Sequence, residues 1–309
     1  MSSPVVGRFA PTPSGFLHPG NLLCAMLAYL SVRSRGGQCL LRIEDLDKAR
    51  CPEHLTRQCL SDLDYLGFRW DGLVLYQSER TKHYEQAFHR LIKTGRVYPC
   101  FCSRAQLHVS QAPNRGDTVY VYPGTCRNLT PEQVHQKAAV KQPAYRLHVP
   151  DETVTVSDRM QGRYTSCLSN NPGDFILRRA DHVYAYHLAV VVDDAESGIT
   201  EVVRGMDILS ATPCQIYLQK LLDYPTPEYT HIPLLVDAHG ARLAKRNQAV
   251  SLAFLSKRHT RDEITGMLAF AAGLIPEVYP CTLEALIPIF SWSNVPNTDL
   301  QLPQAFLTE

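Results

Sequence analysis

The sequence predicts an α/β fold built on a parallel sheet, and three features of its first segment carry that expectation. An apolar run of strand length, about Val5 to Phe9, leads into a loop of Pro, Ser and Gly. A stretch with helical apolar periodicity follows, from about Asn21 to Arg35, and a second apolar run, Cys39 to Ile43 (CLLRI), comes after it. Strand, glycine-bearing loop, helix and strand within about forty residues make a βαβ unit, whose crossover requires parallel strands with helices on their faces.

The elements continue in order. Gly36-Gly37 ends the first helix, and helices are expected at about Pro52 to Leu66 and Thr81 to Thr94. From Val97 to about Asn128 the chain carries Cys, Pro, Gly and Tyr with little periodicity. That stretch reads as an insertion held by something other than a core. Thr130-Pro131-Glu132-Gln133 starts a helix, with an N-cap, a proline at N1 and a glutamine at N3. The α/β pattern resumes near Asp174 with a strand to Arg179, a helix near Leu188, a strand at Ile199 to Arg204 and a helix from Pro213 to Leu222. A short strand, Pro233 to Val236, precedes a loop over 237–247, and helical patterns follow at Ala249–Lys257, Thr260–Ala272 and Thr282–Ile289. The expected organisation is a first catalytic half over 1–96, an insertion over 97–173, a second half over 174–247 and a short helical region over 248–309.

Bulk properties narrow the function. The 309 residues are 45% hydrophobic and 20% charged, as in an ordinary globular protein. A net charge of +1 gives no overall basic field, so a nucleic-acid partner would have to meet a local stripe of Lys and Arg. The N-terminus lacks a basic stretch followed by an apolar one, and runs such as Met267 to Ile275 are too short to span a bilayer. A cytoplasmic protein away from membranes is expected, so the ten cysteines do not read as a disulfide framework. Cys24, Cys39, Cys59, Cys167 and Cys214 sit among apolar neighbours and read as small core residues.

Four motifs carry chemistry. His18-Pro19-Gly20-Asn21 follows the first strand and opens a helix, where free N–H groups and the helix dipole favour phosphate. Gly20 lets a nucleotide approach the backbone, and His18 can donate to phosphate oxygens. Gly240 to Asn247 (GARLAKRN) is a cationic loop suited to clamping a polyphosphate in the transition state. Arg42 to Asp47 (RIEDLD) lies at a strand C-terminus, where ligands bind in such sheets. Tyr186 to Asp194 (YHLAVVVDD) and Arg204 to Asp207 (RGMD) flank apolar runs with groups that serve equally as site residues or as ion pairs. Alone, each motif has an ordinary structural explanation: a capped turn, a solvated basic loop, or a helix N-terminus bearing carboxylates.

Together, in the order GRFAPTPSGFLHPGN, LLRIEDLD, YHLAVVVDD, VVRGMDIL and RLAKR, they resemble the catalytic domain of class I glutamyl-tRNA synthetases over nearly the whole chain. The resemblance implies a Rossmann-like catalytic domain with a zinc-binding insertion. It also implies ATP with Mg²⁺ as substrate, contacted by His18, Gly20, Asn21 and Lys245, with His18 and Lys245 serving the chemistry. The glutamate pocket it implies is Arg8, Phe9, Ala10, Pro11, Thr12, Glu44, Tyr186 and Arg204. A dicarboxylate calls for cations, which Arg8 and Arg204 supply, and Glu44 complements an ammonium.

Only about sixty residues follow Lys245, without the helical anticodon-binding region of full synthetases. This layout is similar to the glutamyl-Q branch, which implies transfer of L-glutamate to the queuosine base of tRNA(Asp) by a monomer. The alternatives are a shortened enzyme charging a tRNA 3′ end, a silent tRNA-binding paralogue, and a ligase for a free small acid. The family's second ATP motif, K-[ML]-S-K-[SQ], reads Arg242-Leu243-Ala244-Lys245-Arg246. The retained lysine keeps the phosphate contact, and losing the serine hydroxyl costs about 1 kcal/mol, enough for slower activation.

Cys100-Phe101-Cys102 and Tyr122-Pro123-Gly124-Thr125-Cys126 supply three thiolates, most of a tetrahedral zinc site. The residues alone leave His108 open as a fourth ligand. Resemblance to the glutamyl-Q pattern C-x-C, Y-x3-C implies Tyr122 instead, with one structural Zn²⁺ per chain.

Overall fold

The computed structural model describes residues 4–103, 121–236 and 251–302. Strand β1 (Val6–Phe9) is buried over its last three residues and feeds α1 (Pro19–Arg33), where Pro19 opens the helix and eleven of fifteen residues are buried. A helix apolar all round must be covered on all sides. The sheet covers α1 on one side, and the helix Arg261–Ala271 and the turn Leu283–Leu286 pack against it. The chain continues through β2 (Gln38–Ile43), α2 (Glu53–Tyr65), β3 (Leu75–Tyr76) and α3 (Thr81–Lys93). Strand β4 (Val97–Cys100) follows, then α4 (Pro131–Ala138), β5 (Ala144–Leu147), β6 (Thr153–Asp158), β7 (Gly162–Cys167) and β8 (Phe175–Arg178). Helix α5 (Tyr186–Glu196), β9 (Glu201–Gly205), α6 (Thr212–Leu222) and β10 (Glu228–Ile232) restore the alternation. After β11 (Leu235–Val236) come a single turn, Leu252–Leu255, then α7 (Arg261–Ala271) and β12 (Leu300–Gln301).

The main sheet runs β3-β2-β1-β9-β10-β6-β7, parallel throughout except for the β6–β7 hairpin. The chain builds outward from β1 to β3, then restarts on the other side of β1 with β9 and β10. That reversal opens a crevice at the C-terminal ends of β1 and β9, where ligands bind in open α/β sheets. Successive residues of β9 face opposite layers. Val203 packs with α1 and the C-terminal helices, whereas Val202 packs with Val156, Ile199 and Tyr229. Helices α3, α5 and α6 form the opposite layer with Leu147, Val149 and Phe175. Strands β4, β5 and β8 make a separate antiparallel sheet.

Several expectations need correction. The stretch after Val97 begins as a regular strand. The strand after Asp174 is β8, which joins the small antiparallel sheet instead of resuming the parallel one. The parallel strand beside β9 is β10, hidden in the sequence because Thr230 and His231 are fully buried polar residues. The expected strand at Pro233 to Val236 shrinks to β11, which pairs with β12 outside the main sheet. Of the helix expected over Ala249 to Lys257, the turn Leu252–Leu255 falls among the described residues. The start of α4 is as expected: Gln133 N donates to Thr130 Oγ1 at 3.3 Å, and Thr130 N donates to Gln133 Oε1 at 2.9 Å.

One close packing gives a direct test of this layering. A methyl group on Gly266, within α7, would lie 1.9 Å from the Tyr279 carbonyl oxygen, whereas one on Gly15 would meet nothing within 4 Å. Gly266→Ala is expected to lose about 1–3 kcal/mol through overpacking, seen as a clear fall in melting temperature, with Gly15→Ala close to the parent.

Candidate active site

The crevice at the strand reversal holds a cavity of about 460 Å³. It is lined by Arg8 to Thr12, His18, Gly20, Asn21, Glu44, Tyr186 and Arg204, so every candidate glutamate contact and three of the four candidate ATP contacts meet there. The fourth, Lys245, lies outside the described residues, as do Arg242, Ala244, Arg246 and the alternative zinc ligand His108.

The fold explains this convergence. Arg8 ends β1 with Phe9, Glu44 follows the last residue of β2, and Arg204 is the penultimate residue of β9. Tyr186 is the first residue of α5. Four segments remote in sequence therefore bring their C-terminal or N-terminal ends to one place. The loop after β1 is tied to the end of β2, because Glu44 N donates to the Pro11 carbonyl at 2.9 Å and Thr12 Oγ1 donates to Glu44 Oε2 at 3.4 Å. At the start of α1, Asn21 Oδ1 accepts from His18 N at 3.4 Å. A Cβ on Gly20 would come within 3.1 Å of the His18 ring, so glycine is what lets the ring lie against this turn.

The charges form a layered network. Asp194 accepts from Arg42 Nη1 at 2.6 Å and from Arg8 Nε at 3.2 Å, and Arg42 Nη2 also reaches Glu44 at 3.3 Å. Asp193, fully buried behind them, accepts from Gln77 at 2.8 Å, Arg80 at 2.6 Å and the Tyr84 hydroxyl at 2.9 Å. Burial opposes ionisation of Asp194, yet Arg42 and Arg8 hold it below the usual carboxylate range. Glu44 is shifted the other way: burial pushes it up against the pull of Arg42 and Arg8. An added ammonium would favour its ionised form. Asp194, ambiguous in the sequence, is thus the ion-pair partner of Arg8 and Arg42, and Asp193 that of Arg42 and Arg80, with Arg42 linking both to Glu44.

Arg204 is different from the other guanidinium groups here. It is buried, and among the described residues no carboxylate oxygen lies within ion-pair distance of it. Its Nε donates to His231 Nε2 at 2.9 Å and its Nη2 to Thr212 Oγ1 at 2.7 Å, while Nη1 has no hydrogen-bond partner among those residues. A buried cation without a counter-charge is costly unless a ligand supplies one. His231, Thr212 and Asp158 behind it are residues that sequence reasoning missed, because a lone histidine or aspartate in a strand carries no signal. Cys24 was assigned to the core but is only half-buried and lines the cavity. Cys167, similarly assigned, is also partly exposed, with its thiol 3.0 Å from Asp151. Cys24 nevertheless packs against the core around α1, whereas Cys167 is the last residue of β7.

The second cluster lies beyond β4. The ligating atoms of Cys100, Cys102 and Cys126 fall within 4.8 Å of one another. The Tyr122 hydroxyl stands 3.3 Å from Cys100 Sγ and 3.6 Å from Cys102 Sγ, and accepts from Cys126 N at 3.0 Å. Arg146 donates to Cys100 Sγ at 3.3 Å and places its guanidinium carbon 3.9 Å over the Tyr122 ring. Burial raises the Cys100 thiol, but Tyr122 and Arg146 bring it net below its ordinary value. Three thiols and a phenol oxygen converging on one point, with a cation against them, is a donor set that fits Zn²⁺.

Comparison with known proteins agrees with this geometry. The family model for the catalytic domain of class I tRNA synthetases (E and Q) matches residues 4–270. The glutamyl-Q tRNA(Asp) synthetase of Symbiobacterium thermophilum is 45% identical, over 96% of this chain and 95% of that protein. Its counterpart in Nitratidesulfovibrio vulgaris is 41% identical over 97% and 96%. Among solved structures, glutamate-tRNA synthetase from Elizabethkingia anophelis superposes with a TM-score of 0.86 at 24% identity, covering 98% of this chain and 69% of that one, which bears on the fold. The chain belongs to the class I tRNA synthetases for Glu and Gln and, within them, to the glutamyl-Q tRNA(Asp) synthetases.

Proposed function

We propose that this protein activates L-glutamate with ATP and transfers it to the queuosine base of tRNA(Asp), the activity in the names of its relatives. The observation that carries the reading is Arg204, a buried guanidinium lacking a carboxylate partner among the described residues, in a cavity that Glu44 also lines. A cation on one wall and a carboxylate on another suit an amino acid bearing an extra carboxylate. In the first step the α-carboxylate of glutamate attacks the α-phosphorus of ATP, and pyrophosphate leaves. In the second, a hydroxyl of queuosine attacks the adenylate carbonyl, and AMP leaves. Neither step needs a covalent bond to the protein, so positioning and charge stabilisation carry the rate.

Within this reading His18, Gly20 and Asn21 present the N-terminus of α1 to the ATP phosphates, and Lys245 of the second ATP motif is assigned as their cationic contact. Class I chemistry uses ATP with Mg²⁺. Glu44 meets the glutamate ammonium; Arg204 takes one carboxylate; Arg8, held by Asp194, and Tyr186 complete the wall. Cys100, Cys102, Tyr122 and Cys126 hold one structural Zn²⁺. Action as a monomer in the cytoplasm belongs to the same reading. No helix among the described residues is long and apolar enough to cross a membrane.

Exchange of labelled pyrophosphate into ATP tests the first step. Glutamate is expected to drive exchange, and glutamine and aspartate far less. Equal exchange with glutamine, or none with glutamate, contradicts the assignment.

A further inference from the structure

Behind Arg204 lies a buried chain of three groups that the reaction itself does not touch. Asp158, the last residue of β6, accepts from His231 Nδ1 at 2.6 Å. It also accepts from the backbone of His231 at 3.0 Å, of Met160 at 3.0 Å and of Gln161 at 2.9 Å. His231 in turn faces Arg204 Nε at 2.9 Å through Nε2. The Thr212 hydroxyl accepts from Arg204 Nη2 at 2.7 Å and lies 3.1 Å from that same histidine nitrogen.

Donor and acceptor chemistry fixes the protonation of this chain. A guanidinium only donates, so His231 Nε2 must be bare. An ionised carboxylate only accepts, so the imidazole proton must sit on Nδ1. Asp158 is held below the usual carboxylate range: burial opposes its ionisation, but bonds from His231 and the Gln161 backbone outweigh it. Burial likewise keeps His231 below its ordinary value despite Asp158. Tyr229, stacked with His231 at a centroid separation of 6.0 Å, and Arg204 are the other titratable or charged groups packed against the ring. His231 and Thr212 together occupy Nε and Nη2 and leave Nη1 as the unpartnered donor.

We propose that Asp158 and His231 are positioning residues for glutamate recognition: Asp158 selects the Nδ1–H tautomer of His231, whose Nε2 fixes the rotation of the Arg204 guanidinium. The inference rests on the reading above that Arg204 takes a glutamate carboxylate. It goes beyond that reading by tying specificity to β6, a strand contributed by the segment between the two catalytic halves. A neutral imidazole in this place orients the guanidinium without competing for its charge, as a carboxylate would. Arg8 shows the contrast, because Asp194 already neutralises it.

Asp158→Asn tests the idea with almost no change of volume. Its amide donates toward Nδ1, moves the imidazole proton to Nε2, and sets that proton against the Arg204 Nε–H. Pyrophosphate exchange with Asp158→Asn is expected to show a KM for glutamate raised about tenfold or more, the loss of one hydrogen bond to a charged group. The KM for ATP should stay within about twofold, a split that general loosening of the fold does not produce. His231→Gln has no tautomer to misplace, and its carbonyl can accept from Arg204. In that background Asp158→Asn should add no further rise in glutamate KM. Unchanged glutamate KM in Asp158→Asn, an equal rise for ATP, or an undiminished effect in the His231→Gln background overturns the proposal. Arg204→Lys separates the two layers. If it leaves glutamate KM unchanged, the underlying site assignment fails and the positioning role falls with it. If it raises that KM while Asp158→Asn does not, only the positioning role is lost.

Discussion

Arg204→Met is expected to lose glutamate-dependent pyrophosphate exchange by more than about a hundredfold in kcat/KM while lowering the melting temperature little. The activity loss follows from removing a desolvated cation from its anionic ligand, which costs about 3 kcal/mol or more. The small stability change has a separate cause. In the free protein Arg204 has a histidine and a threonine as partners, and among the described residues no carboxylate. Its burial is therefore a cost carried for function, and an apolar chain of similar length removes that cost. Methionine still covers the Tyr229 ring, over which the guanidinium carbon now lies 5.2 Å from the centroid. The same substitution at Arg42 should behave oppositely. That arginine reaches Asp193, Asp194 and Glu44, so its loss strips a shared counter-charge from three buried carboxylates and destabilises by about 3–5 kcal/mol. Paired thermal melts and exchange assays on the two variants separate a ligand-facing cation from a structural one.

Cys126→Ser is expected to drop the zinc content from one per chain to a small fraction and to lower the melting temperature by several degrees. Among the described residues the core around it is small, with Tyr98, Cys100, Phe101, Tyr122 and Cys126 as its buried members, so a metal cross-link is expected to contribute much of its stability. Tyr122→Phe is the sharper variant, since it keeps the ring beneath Arg146 and removes only the oxygen. With Tyr122 as the fourth ligand, this protein should lose zinc to a chelator roughly tenfold more readily or worse. Arg146 explains why a phenol can serve. Three thiolates and a phenolate carry more negative charge than one Zn²⁺ neutralises, and the Arg146 guanidinium, against Cys100 Sγ and over the Tyr122 ring, supplies a compensating positive charge. Zinc retained as tightly in Tyr122→Phe as in the parent would put the fourth ligand elsewhere.

Sequence reasoning reached the cavity walls through the family resemblance that their local motifs carry together. The loop from Arg8 to Asn21, Glu44 after an apolar strand and Arg204 before a glycine each carry a pattern with a local physical meaning. It did not reach Asp158, Thr212 or His231, because their role exists only once β6, β10 and α6 are side by side. Strand β10 shows the cause most plainly. Its sequence, EYTHI, buries Thr230 and His231 completely, so a polar pattern conceals a central strand whose histidine is satisfied by Asp158 from a distant segment. Strand β6 had a readable signal: TVTVSD alternates with a strict period of two, and its burial follows that alternation. It went unread, because no element was assigned between the helix starting at Thr130 and the strand after Asp174. Cys24 reads as a core residue and does pack against the core, but its place on the cavity wall was not legible, because sequence proximity to leucines does not distinguish the two faces of a helix buried all round.

The central claim is that glutamate activated in this cavity goes to the queuosine base of tRNA(Asp). The most direct test offers labelled glutamate and ATP to tRNA(Asp) with queuosine, tRNA(Asp) lacking it, and tRNA(Glu). The account predicts label on the first alone, carried by the anticodon fragment after nuclease cleavage and absent when Arg204→Met replaces the parent protein. Label on tRNA(Glu), on tRNA(Asp) lacking queuosine, or wholly on the 3′-terminal nucleotide would contradict it.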